Sequence, residues 1–155
     1  MEPQIVKKPA LTLVGVQRHG KLEGLELKSL WNELGPRMAE ITGGDPNVCY
    51  GAMDHYDEAT GEFDYLAACE AKRATDVPAV PDGMVSWNIP AQTYAVFPGS
   101  LPEIGAVWQF AYQQWLPTSG YQRAAGPEFE LYDEKFNPQD PASVLYICVP
   151  VVSAN

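Results

Sequence analysis

The sequence predicts an α+β domain, an antiparallel sheet covered by helices and built from a βαββ unit taken twice. Three observations point there. Two segments repeat apolar residues at helical spacing, each preceded by one extended apolar run and followed by two. The paired runs are joined by loops rich in turn residues, as hairpins require. A connector dense in Pro and Gly separates the halves. Alternating single helices and hairpins favour antiparallel sheet over the parallel sheet of repeated βαβ units.

In the first half, Leu11 to Val16 reads as a buried strand. Ser29 to about Thr42 follows as a helix, with Leu30, Trp31, Leu34, Met38 and Ile41 on one stripe, Ser29 as N-cap and Gly43-Gly44 as the stop. Val48 to Tyr56 and Phe63 to Lys72 are the next strands, joined by a loop over Asp57 to Glu62. Pro78, Pro81, Asp82-Gly83 and Pro90 form the connector, with room for an edge strand around Met84 to Ile89. The second half opens with a strand from Gln92 to Phe97, broken at Pro98-Gly99-Ser100. Ile104, Val107, Trp108, Ala111 and Trp115 then recur at helical spacing, with Pro102 in the first turn and Pro117 ending the helix. Strands over Phe129 to Glu134 and Ser143 to Val152 complete the repeat. The expected organisation is one domain: module one at about 9–77, the connector at about 78–91, module two at about 92–152. The two units would be related by a pseudo-two-fold axis.

At 155 residues a single domain buries roughly two-thirds of the surface its unfolded chain exposes. Ten basic against twenty acidic residues give a formal charge of −10. That balance opposes nucleic-acid binding, which is driven by phosphate neutralisation. The N-terminus lacks the apolar core of a signal peptide, and no apolar run approaches the roughly 18 residues of a membrane span. A cytoplasmic location is expected. Cys49, Cys69 and Cys148 have no metal-ligand spacing and lie in apolar runs, so they read as small buried hydrophobes in a reducing compartment. His19 and His55 stand apart from other ligand types, and Asp54-His55-Asp57 reads as a solvated hairpin end. A Gly-rich phosphate loop and a nucleophile elbow are both missing, so neither a metal nor a cofactor is expected.

Several stretches, taken in order, resemble the GyrI-like family, the effector-binding domains also found in AraC-type and MerR-type multidrug regulators. They are Trp31 with Gly35-Pro36-Arg37, Tyr50-Gly51, Phe63-Asp64-Tyr65, Ile89 to Phe97, Trp115-Leu116-Pro117, Ser119-Gly120-Tyr121 and Phe129-Glu130-Leu131-Tyr132. The resemblance implies two βαββ modules side by side with a ligand cleft between them. It also implies that Glu130, in Phe-Glu-x-Tyr, faces cationic lipophilic drugs from an aromatic-lined site. No helix-turn-helix pattern precedes Pro9, so the chain is similar to stand-alone members, some of them carried on integron gene cassettes, and direct transcriptional control is not expected.

Strand alternation places Glu128, Glu130, Tyr132 and Glu134 on one face, with Phe129, Leu131 and Asp133 on the other. Phe129 and Leu131 suit a helix-facing core, which leaves Glu130 and Tyr132 on the opposite side. Hairpin pairing would bring Tyr146 near Glu130. A flat lipophilic cation wants apolar walls, aromatic faces and one counter-charge, and each ring contributes about 0.5–2 kcal/mol when desolvated. A carboxylate held in an apolar cleft is penalised by desolvation, and an arriving cation relieves that penalty. The expected ligand-binding residues are therefore Glu130, Tyr132 and Tyr146, with Tyr50, Tyr65, Trp87 and Trp108 as walls.

The expected function is binding of lipophilic, cationic small molecules, without nucleic acid or membrane as partner. Two alternatives stay open. The resemblance extends to GyrI-like proteins that hydrolyse strained cyclopropane-type electrophiles, in which case Glu130 would be a general base. It also extends to members linked to gyrase inhibition, an acidic protein-interaction role.

Overall fold

A computed structural model of the chain describes residues 2–41, 45, 47–71 and 80–154. Nine strands and two short helices follow the order β1 (Gln4–Lys8), β2 (Leu11–Gly20), α1 (Leu27–Leu34), β3 (Cys49–Asp54), β4 (Phe63–Ala71), β5 (Val85–Ile89), β6 (Gln92–Gly99), α2 (Ile104–Phe110), β7 (Tyr121–Arg123), β8 (Glu128–Tyr132) and β9 (Leu145–Ser153). Every strand pairing is antiparallel. The sheet runs β1-β6-β9-β8-β3-β4-β2-β5, with β7 pairing separately to β9. The fold is thus α+β, mostly antiparallel sheet with two helices.

Both helices pack on one face of this sheet. Around α1, Leu30 and Leu34 join Val14, Val16, Tyr65, Ala67 and Cys69. Around α2, Val107 and Ala111 join Ala95, Phe97, Leu145, Ile147 and Val149. The alternate residues of the same strands, among them Leu13, Ala52, Leu66, Ala68, Tyr94, Phe129 and Cys148, form a third apolar cluster on the other face.

The helices differ from expectation in ways the local chemistry explains. The first begins at Leu27, not at Ser29, because the chain turns through a left-handed residue at Glu26 (φ 51°) and Ser29 falls inside the first turn. It is also shorter. Pro36 lacks the N–H that an α-helix would use, so the chain tightens into a 3-10 helix over Gly35–Glu40. The expected stop at Gly43-Gly44, like Thr42 and Lys72, lies outside the described residues. The second helix is preceded by a 3-10 turn holding Pro102 and passes into a π-helical turn over Ala111–Trp115 before Pro117.

The strands follow the expected alternation with modest shifts in their ends. The break expected at Pro98-Gly99-Ser100 falls two residues later, after Gly99, because β9 goes on pairing with β6 through Pro98 and Gly99, whereas β1 pairs only as far as Val96. Pro98 therefore sits where β6 has a single neighbour and tolerates a missing donor. β5 is the edge strand the connector had room for. Two strands were not anticipated: β1, only half apolar and flanked by Pro3 and Pro9, and the three-residue β7 behind Gly120 (φ 80°).

One close contact fixes how β2 meets β4. A Cβ at Gly15 would lie 1.9 Å from the main-chain oxygen of Ala67. Gly15→Ala is expected to lower unfolding stability by at least about 1–3 kcal/mol, the range for overpacking a dense site. Urea denaturation of wild type and variant measures it; an unchanged midpoint would show that the strands move apart at no cost.

Candidate functional site

The seam between β3 and β8 positions the site. There Gly51 lies directly opposite Glu130, and Met53 opposite Glu128. Because side chains alternate along β8, Glu130 and Tyr132 project to the helix-covered face while Phe129 and Leu131 join the cluster on the other. The alternation expected from sequence is present, but the faces are exchanged. Phe129 packs on Tyr94 and Tyr50 away from the helices, and Glu130 points into the groove between α1 and α2.

That groove is a cleft of about 1340 Å³. Its floor and walls include Trp31 from α1, Met53 from β3, Tyr65 from β4, Ile104 and Trp108 from α2, Tyr112 from the π-turn, and Tyr132 and Phe136. Trp31 meets Tyr132 edge-on at 5.7 Å, and Tyr132 meets Phe136 at 4.9 Å. Trp108 and Tyr112, one turn apart, stack at 6.3 Å. Carboxylates outnumber cations in the lining: Asp54, Glu128, Glu130, Asp133 and Glu134 against Lys28 and Arg123.

Glu130 is 7% exposed and receives three hydrogen bonds, all from neutral donors. The hydroxyls of Tyr132 (3.0 Å) and Tyr65 (3.3 Å) donate to Oε1, and the Trp108 indole N–H donates to Oε2 at 3.3 Å. Trp31 in turn donates to the Tyr65 hydroxyl at 3.3 Å. Burial raises the Glu130 pKa, and these donors only partly oppose it. Tyr65 and Tyr132 are pushed up as well, by burial and then by the neighbouring carboxylate, so both stay protonated as donors.

The absent side chain at Gly51 makes this arrangement possible. A Cβ there would lie 2.2 Å from the Tyr65 hydroxyl and 2.8 Å from Glu130 Oε1. Glu128 is differently placed. It accepts a hydrogen bond from Tyr112 and lies 3.5 Å from the Arg123 guanidinium, while burial raises its pKa too. Of the two carboxylates on this strand face, one has a cation and the other has none among the described residues.

Four of the expected site residues come together: Glu130, Tyr132, Tyr65 and Trp108. Tyr146 does not join them. The β8–β9 register sets it opposite Leu131, on the far face of the sheet. Tyr50, also opposite Leu131, and Trp87, on edge strand β5 where its indole donates to Gln17 Oε1 at 2.9 Å, pack into that same far-side cluster. The pleat carries all three away from this cleft. Trp31, Tyr112, Arg123 and Glu128 also line the cleft and are not among the ligand-binding residues expected from sequence. Alternation had placed Glu128 beside Glu130, but nothing local tied Arg123 to either. Among the described residues no group of three or more His, Cys, Asp or Glu is placed to hold a metal ion. No helix among them is long and apolar enough to cross a membrane.

An antiparallel sheet with two helices over one face leaves an aromatic cleft between them, with the volume to hold a small molecule. The chain belongs to the GyrI-like small molecule binding domain family, whose sequence pattern matches residues 1–152. It is 37% identical over 155 residues to the transcriptional regulator BrlR of Pseudomonas aeruginosa, covering 97% of this chain and 56% of that regulator. The chain therefore spans little more than half the regulator's length. SAV2435 bound to tetraphenylphosphonium has a similar fold, with a TM-score of 0.74 at 18% identity over 98% of this chain and 94% of the other. So has an integron cassette protein from the mobile metagenome of Vibrio cholerae, at 0.67 and 17% over 97% and 96%.

Two consequences are measurable. Gly51→Ala is expected to separate Tyr65 from Glu130 and cost about 1–3 kcal/mol in urea unfolding; unchanged stability and unchanged Tyr65 fluorescence would contradict the packing. Raising the Glu130 pKa above its ordinary 4.5 means that the folded chain binds more protons than the unfolded one between the two values. Stability contributed by Glu130 thus falls as pH rises through that window and is constant above it. The unfolding free energy of Glu130→Gln minus that of wild type should widen upward from about pH 4.5 and then level off. A pH-independent difference would remove the desolvation argument.

Proposed function

We propose that this cleft binds lipophilic cations, with Glu130 as the counter-charge and Trp31, Tyr65, Trp108 and Tyr132 as its aromatic walls. One observation carries the reading: a buried carboxylate held by three neutral donors and, among the described residues, no cation, at the floor of an aromatic cleft. A bound cation would recover the desolvation cost of that charge and stack on the surrounding rings. Membership of the small-molecule binding family and the similarity to a protein bound to tetraphenylphosphonium support the same chemistry. Likeness to a regulator suggests that the domain senses rather than transforms its ligand, and the excess of acidic over basic residues supports a role in which this domain itself does not touch nucleic acid.

The element order β2-α1-β3-β4 and β6-α2-β8-β9 supports reading the two halves as a duplication, at about 9–77 and 92–152. In the sheet order the two units mirror each other about the β3–β8 pair. A pseudo-two-fold axis through that seam would set the cleft where the two units meet.

A second reading rests on the raised pKa of Glu130 beside two tyrosine hydroxyls. A carboxylate of that kind can take a proton from water, so hydrolysis of a strained electrophile is the alternative chemistry. Titrating intrinsic Trp fluorescence with tetraphenylphosphonium, beside a neutral isostere, decides between them. Glu130→Gln is expected to weaken cation binding by about 1.5–3 kcal/mol, or roughly 10- to 150-fold, and to leave the neutral isostere unaffected. Equal cation affinity in both proteins would sink the charge-pairing claim. Turnover of an activated cyclopropane, lost in the same variant, would favour the hydrolase.

A further inference from the structure

The three cysteines do not share one environment. Cys148 is buried on the far face of the sheet beside Phe129 and Tyr94, as expected of a small hydrophobe. Cys49 and Cys69 lie on the helix-covered face, and the register of β3 and β4 sets them directly opposite each other. Directly opposed residues of an antiparallel pair have Cα atoms about 4.5–5.5 Å apart, inside the range of about 4.4–6.8 Å that a disulfide spans. Cys69 is 1% exposed, whereas Cys49 is half-buried and lines the cleft, opposite Tyr132.

We propose that Cys49 and Cys69 form a redox site in the cleft wall, a dithiol that reduces a small hydroperoxide and closes to a cross-strand disulfide. The two members have different roles. The neighbouring Cys69 thiol lowers the Cys49 pKa against the opposing effect of burial. The Cys49 thiol, and then burial, raises that of Cys69. Because Cys49 lines the open cleft while Cys69 is buried behind it, Cys49 is the attacking thiolate, with the access a reactive cysteine needs. Cys69 resolves.

In the first step the Cys49 sulfur attacks one peroxide oxygen and the O–O bond breaks. Cys49 becomes a sulfenic acid, and the other oxygen leaves as water after taking up a proton. In the second, the Cys69 sulfur attacks the Cys49 sulfur, the S–O bond breaks, and a second water departs with the Cys69 proton. The dithiol loses two electrons and two protons, and one hydrogen peroxide becomes two waters. An external thiol reductant reopens the bridge by exchange.

The test treats the whole chain with hydrogen peroxide, alkylates the remaining thiols under denaturing conditions and maps peptides without reduction. The expected result is an intramolecular link between the Cys49 and Cys69 peptides, reversed by dithiothreitol, with Cys148 still alkylated. Loss of the Cys49 thiol should run at least about tenfold faster than loss of Cys148. In Cys69→Ser, Cys49 should accumulate as a sulfenic acid trapped by dimedone. In Cys49→Ser, Cys69 should survive the same exposure. Cys49 passing straight to sulfinic or sulfonic acid in the wild type would overturn the proposal. So would a bridge only between copies, or Cys49 loss no faster than that of Cys148.

Discussion

A buried carboxylate with no cation beside it among the described residues governs the site. Glu130 is nearly inaccessible, yet its three hydrogen bonds come from indole and phenol groups that carry no charge. Such donors hold the carboxylate in place without neutralising it. The interaction links four elements, since Tyr65 comes from β4, Trp108 from α2, and Glu130 and Tyr132 from β8, while Gly51 of β3 leaves the space. Removing the charge would relax the desolvation cost and leave the aromatic floor of the cleft without a carboxylate, the remaining acidic groups being Asp54, Glu128, Asp133 and Glu134.

The surrounding structure can be understood as what this carboxylate demands. The seam between β3 and β8 must bring a glycine opposite it, because any side chain would occupy the place of the Tyr65 hydroxyl. Both helices must lie on the Glu130 face to lend it indole walls, and the stacking of Trp108 on Tyr112 carries that wall into the π-turn. π-Helical turns recur at functional sites, and this one sets an aromatic ring beside Glu128. Glu128, with Arg123 and Tyr112 as partners, is an internally balanced group two residues from an unbalanced one. The contrast sets Glu130 apart from Glu128 on the same strand face, and the proposal that it is the counter-charge rests on that difference.

Much of this was legible in the chain. Apolar periodicity placed both helices and the longer strands, turn residues placed the hairpin at 57–62, and alternation put Glu128, Glu130 and Tyr132 on one face. The short strands β1 and β7 escaped because edge strands with few apolar residues owe their conformation to their neighbours. The first helix was overextended because its apolar stripe continues through Pro36, where the backbone cannot. Tyr50, Trp87 and Tyr146 looked equal to Tyr65 and Trp108 in sequence, since aromatic content says nothing about direction.

The sequence by itself determined the α+β class, the order of the helices and longer strands, the acidic balance and the presence of a carboxylate, Glu130, among the apolar residues of β8. Those properties are local or additive: period, breakers, charge and one residue among apolar neighbours. Only the tertiary structure decided which face of β8 the helices cover, and so whether Glu130 meets solvent or a cleft. A strand is amphipathic about its own axis, but its two apolar clusters, one around Phe129 and one around Ile147, are equally suited to burial. Register across β3, β4, β8 and β9 breaks that tie, setting Gly51 against Glu130, Cys49 against Cys69, and Tyr146 out of reach.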